Sequence, residues 1–164
     1  MATSLTARLA IPADPSAAFG LLTDPDYVRE VAEATGGSDV EVTVTPADDG
    51  GATVVSRRTL PADVPSYAKA LVGETVTLTE TRVFGAAAAD GSRDGTLRVE
   101  FGNAPASVDG TLRLAADGAT SAVDVALSVK ASVPLVGGKI EKLVAEQIQA
   151  ALTREQTVAA EHAA

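Results

Sequence analysis

Three charged residues of this chain sit where apolar ones are expected: Arg58, Glu80 and Arg82. Arg58 alternates in step with Val54, Ser56 and Leu60. Glu80 and Arg82 alternate in step with Val76, Leu78 and Phe84, while Thr75, Thr77, Thr79 and Thr81 take the other face. A period of two places each set on one side of a strand. Charges turned toward an apolar surface are costly unless they are paired or hydrated. Two arrangements satisfy that requirement. Either the three side chains face a water-containing cavity and orient the polar group of a ligand, or the strands splay or bulge so that they reach solvent. Two arginines against one carboxylate leave a local excess of positive charge. In the first arrangement this predicts a ligand with an anionic or hydrogen-bond-accepting end.

The rest of the inventory excludes more than it offers. There is no cysteine, which removes disulfides, thiolate metal sites and a cysteine nucleophile together. The one histidine, His162, lies near the chain end and is expected to be solvated, so a histidine triad or multi-histidine metal site is not expected. Asp48-Asp49-Gly50-Gly51 and the acidic stretch from Asp90 to Gly95 lack calcium-loop spacing. Nucleophile-elbow, Walker and dinucleotide fingerprints are absent. The expectation is no catalytic residue set, no metal and no cofactor. A net charge of −9 argues against nucleic acid or an anionic membrane as partner. The first residues do not read as a signal peptide, and no run approaches the ~20 apolar residues of a membrane span. A soluble cytoplasmic protein without stable membrane insertion is expected; the sequence names no protein partner.

The elements that would position these residues follow in order. Leu5, Ala7, Leu9 and Ile11 alternate as a strand stopped by Pro12. Asp14-Pro15 and Asp24-Pro25 each read as an N-cap and first helical residue, giving two short helices that end at Gly36-Gly37. From Asp39 the period is two for about six strands. Pro61 to Gly73 interrupts them with a short helix or flap, and Gly85 to Gly95 with an expected mobile loop. The last stretch, from about Leu135 to Glu161, carries Ile140, Leu143, Val144, Ile148, Ala151 and Leu152 on one helical face. Leu143 and Ile148 are expected to be buried. Aromatic residues are scarce, three Phe and two Tyr, and a core of small aliphatics makes a cavity plausible. The fold class is therefore α+β, one domain over residues 1–164: a seven-stranded curved antiparallel sheet, two short helices after the first strand, and a long C-terminal helix across the concave face.

That order, with Pro134-Leu-Val-Gly-Gly-Lys leading into an amphipathic C-terminal helix, resembles the helix-grip (SRPBCC) superfamily of START lipid-transfer domains and birch-pollen-type allergens. Arg58-Thr-Leu-Pro-Ala-Asp-Val-Pro and Ala70-Leu-Val-Gly resemble, more narrowly, an uncharacterised bacterial branch of it, a domain of unknown function. The resemblance implies an apolar or amphipathic molecule, lipid-like or polyketide-like, held between sheet and helix. The candidate cavity residues are Arg58, Tyr67, Leu78, Glu80, Arg82, Phe84, Phe101, Val144 and Gln147. Tyr67 either gates the mouth or packs its connector down; Gln147 borders the helical stripe. A non-catalytic binder or carrier is the leading reading. A cyclase- or dehydratase-type enzyme and a protein-interaction module are the alternatives.

Overall fold

Two aspartates start the helical part of the chain, as their spacing from proline requires. The computed structural model describes residues 2–62, 64–102 and 104–162; Asp63 and Asn103, which the sequence puts in two connectors, lie outside them. After β1 (Thr3–Ile11) come α1 (Pro15–Leu22) and α2 (Pro25–Ala34). Asp14 Oδ1 accepts from the Ala17 amide at 2.8 Å, and Asp24 Oδ1 from the Asp26 amide at 2.9 Å. Each carboxylate satisfies a first-turn N–H that has no partner inside the helix.

The strands β2 (Ser38–Pro46), β3 (Ala52–Pro61), β4 (Thr75–Phe84), β5 (Arg93–Phe101), β6 (Ala106–Asp117) and β7 (Thr120–Ala131) follow, with α3 (Ser66–Val72) between β3 and β4. All seven form one antiparallel sheet in the order β1-β7-β6-β5-β4-β3-β2. It is a meander except for β1, which returns to pair with β7. The stretch from Pro61 to Gly73 thus contains a helix. The one from Gly85 to Gly95 turns at Asp90 to Ser92 before entering β5, with Ser92 donating both its amide and its hydroxyl to Asp90 Oδ1.

Glycines let the strands bend toward one another. A Cβ at Gly110 in β6 would collide with the Ala126 carbonyl of β7, and one at Gly95 in β5 with the Val83 carbonyl of β4. Only glycine permits so close a backbone approach inside a strand. Gly110→Ala is expected to cost roughly 1–3 kcal/mol through overpacking. Thermal denaturation checks it; an unchanged melting temperature would mean the strands separate freely there.

The helix α4 (Gly137–Glu161) closes the concave side. It starts two residues later than the sequence suggests, because Leu135 takes a positive φ of 71° that ends the extended lead-in. Its second half docks firmly: Leu152, Val158 and Ala159 join Leu9, Ile11, Leu22 and Tyr27 in the core. Its start is fastened by Glu141, whose carboxylate accepts from Thr3 Oγ1 at 3.0 Å and the Ala131 amide at 3.1 Å. Leu143 and Ile148, expected to be buried, are only half-buried. Between the two fastened regions the helix spans open space.

Candidate functional site

That space is a cavity of about 590 Å³. Its walls are mainly apolar, from Leu60, Leu78, Leu97, Val99 and Phe101 on the sheet and Leu143, Val144, Ile148 and Ala151 on the helix. Val31 and Thr35 of α2 and Ala68, Leu71 and Val72 of α3 contribute at the sides. The sequence pattern makes this hollow in a direct way. Small and medium aliphatics fill the sheet face, and no tryptophan spans the gap.

Strand register assembles the polar part of the wall. Ser56 on β3 lies opposite Glu80 on β4, Arg58 opposite Leu78, and Arg82 opposite Val54 and, on its other side, Leu97 of β5. All three charged residues turn inward and line the cavity, so the splayed-strand alternative does not hold here. Arg82 is 9% exposed and meets Glu155, 3% exposed, from α4. Its Nη1 donates to Glu155 Oε2 at 3.0 Å and its Nη2 to Oε1 at 2.7 Å, a bidentate pair. Glu80 flanks the same guanidinium, Oε1 lying 3.3 Å from Nε and Oε2 accepting from Nη2 at 3.4 Å.

Arg58, 7% exposed, donates from Nη1 to Ser56 Oγ at 3.2 Å, and its Nε has no partner among the described residues. Burial by itself pushes Glu80 upward, but the charges of Arg82 and Arg58 outweigh it and hold the carboxyl below its ordinary value. Arg82 feels the same burial, outweighed by Glu155 and Glu80, and is held more firmly charged than usual. Tyr27 approaches the cluster from the packed side, its hydroxyl buried without a hydrogen-bond partner among the described residues. Burial, reinforced by the Glu155 charge, raises its ionisation far above the ordinary phenol value.

Seven of the nine candidate residues, Arg58, Leu78, Glu80, Arg82, Phe101, Val144 and Gln147, border the cavity. Phe84 and Tyr67 do not. Phe84 lies one inward position beyond Arg82, fully buried edge-on against Phe19 at 5.7 Å between ring centres. The Arg82–Glu155 bridge separates that packed half from the hollow one. Tyr67 is 39% exposed on α3 with Lys139 Nζ 5.9 Å from its ring centre, while its neighbour Ala68 turns inward. His162 is not simply solvated: its ring stands edge-on to Tyr27, and Nε2 lies 2.6 Å from Glu30 Oε2.

Sequence reasoning missed Glu155, the residue that changes the charge count. The signal was present: Glu141, Val144, Ile148, Leu152, Glu155 and Ala159 recur at three and four residues, so two glutamates occupy the buried stripe. With Glu155 included, two arginines face two carboxylates, and the positive excess expected from Arg58, Glu80 and Arg82 alone disappears. Among the described residues no cluster of three or more histidine, cysteine or acidic side chains could hold a metal ion. No described helix is long and apolar enough to cross a membrane.

With this geometry in view, the chain's similarities are informative. A crystal structure of TTHA0849 from Thermus thermophilus superposes with a TM-score of 0.65 at 17% identity, covering 99% of this chain and 100% of that one. A norcoclaurine synthase point mutant from Thalictrum flavum, solved with a transition-state analogue, gives a TM-score of 0.59 at 12% identity, covering 100% and 98%. The Zhui aromatase/cyclase from Streptomyces sp. R1128 gives 0.55 at 14%, covering 96% and 88%. At such identities the likeness is one of fold, and the fold is that of the helix-grip superfamily. No curated protein matches the sequence. A family model described as "Protein of unknown function (DUF2505)" matches residues 6–162.

Proposed function

The chain belongs to that family, whose description states no activity, and from the cavity we propose that it binds or carries an apolar or amphipathic small molecule between sheet and C-terminal helix. The observation that carries this reading is the hollow itself, about 590 Å³ with mainly aliphatic walls and a single charged end. That volume falls in the range of about 300–1,000 Å³ usual for small-molecule sites. Apolar ligand surface buried there gains roughly 25 cal/mol per Å², and the polar cluster fixes which end goes in first. A lipid-like or polyketide-like molecule has this shape and chemistry.

The cyclase or dehydratase reading needs a base, and Glu80 is the carboxylate best placed to be one. Two arginines hold it below its ordinary value, whereas a general base works best when poised near the working pH. This favours the binder.

The direct test is fluorescence of Nile red with the purified protein and with Ala151→Phe. Ala151 is half-buried on the helical wall, and a phenyl ring there takes up cavity volume. The parent is expected to bind Nile red. The variant is expected to fold normally and bind at least about tenfold more weakly, roughly 1.4 kcal/mol. Equal affinity in the two proteins would move the binding site elsewhere.

A further inference from the structure

Resting on the reading of the cavity as a small-molecule site, the geometry points to a ligand whose buried end is an uncharged hydrogen-bond acceptor, a carbonyl or a hydroxyl, received by Arg58, and to discrimination against a carboxylate.

The two arginines differ in how far their donors are filled. Arg82 is largely satisfied: Glu155 accepts from Nη1 and Nη2 and Glu80 from Nη2, which leaves Nε, 3.3 Å from Glu80 Oε1, as its one buried nitrogen without a hydrogen bond among the described residues. Arg58 is not. Its charge acts on Glu80, but its one hydrogen bond among the described residues runs from Nη1 to the Ser56 hydroxyl, and its buried Nε has none. A guanidinium carries five N–H donors and no acceptor, so a residue 7% exposed on a cavity wall is left with donors to fill. What fills them must be an acceptor.

Charge then decides which acceptor. Among the charged side chains lining the cavity, Arg58 and Arg82 are balanced by Glu80 and Glu155; Arg154, also on the lining, is exposed and its charge is met by water. A carboxylate entering beside Arg58 would give the enclosed cluster a net negative charge with no counter-ion. An uncompensated charge taken from water into such a site is far more expensive than a neutral dipole. A carbonyl oxygen accepts from Arg58 without disturbing the balance. A hydroxyl does so and can also donate to Glu80, whose two contacts with Arg82, at 3.3 and 3.4 Å, are long for a carboxylate.

The test compares ligands of equal chain length displacing Nile red at neutral pH: heptyl methyl ketone against nonanoate. In the parent the ketone is expected to displace the dye at least about tenfold more tightly than the acid anion, roughly 1.4 kcal/mol. Arg58→Met, which keeps the length and apolar character of the stem, should weaken the ketone about tenfold relative to any change in Nile red affinity, which is measured first by direct titration. Glu80→Gln should act in the opposite sense on the other ligand, removing one negative charge and tightening nonanoate about tenfold. If Arg58→Met does not fold, the ligand order in the parent and the response of Glu80→Gln still decide. Nonanoate binding the parent as tightly as the ketone, or a ketone affinity untouched by Arg58→Met, overturns the assignment while leaving the cavity as a binding site. Failure of Nile red and both ligands to bind the parent would sink the cavity reading, and this assignment with it.

Discussion

Replacing Arg82 with methionine is expected to destabilise the protein by about 3–5 kcal/mol, the usual cost of removing one partner from a buried ion pair. In a chain of this size that lowers the melting temperature on the order of 10 °C. The cost arises because two carboxylates, Glu80 and Glu155, are left facing each other with only Arg58 nearby. Glu155→Gln should cost less, since Arg82 retains Glu80 as its counter-charge. The double variant Arg82→Met with Glu155→Leu should recover much of the loss, because Glu80 and Arg58 then balance and apolar groups replace the pair. If the double variant is no more stable than Arg82→Met alone, the bridge is not what Arg82 contributes.

The pH dependence has a definite sign. Glu80 has a lower value folded than unfolded, so its contribution is fully present above its ordinary value of ~4.3. It is lost as pH falls through the lower folded value. In Arg82→Met the main cause of that depression is gone and Glu80 is easier to protonate. The stability gap between parent and variant should therefore narrow on acidification from pH ~6 toward ~4. Urea denaturation across that window reads it, and a gap constant or widening toward acid would contradict the cluster as described.

The second large effect distinguishes the two halves of α4. Val158→Asp is expected to abolish folding or cost more than about 4 kcal/mol, because the site is 5% exposed, packed in the core and away from the cavity. Leu143→Asp, on the same helix, should cost much less. Leu143 is half-buried over the cavity, where a carboxylate can stay hydrated. Thermal melts of the two variants compare them directly. Equal and severe losses would mean that no water reaches Leu143 and that the space beneath it is filled.

The sheet and its helices were legible from the residues alone. Alternation from Val40 to Val129, the capped Asp14-Pro15 and Asp24-Pro25 starts, and the three-and-four stripe from Ile140 to Leu152 are local patterns, and local backbone geometry reads them without help from the rest of the chain. The inward turn of Arg58, Glu80 and Arg82 was present as one of two arrangements, because alternation fixes a face but not which face the helix covers. What those charges meet is a matter of the folded chain. Arg82 and Glu155 are 73 residues apart in sequence, and nothing in either neighbourhood names the other. That pairing cancelled the expected charge excess, and it put Phe84 on the packed side of the bridge and Arg58 on the open side. The same holds for Leu143 and Val158. Both are apolar residues of α4, and only the curvature of the sheet beneath them makes one the roof of a cavity and the other part of the core.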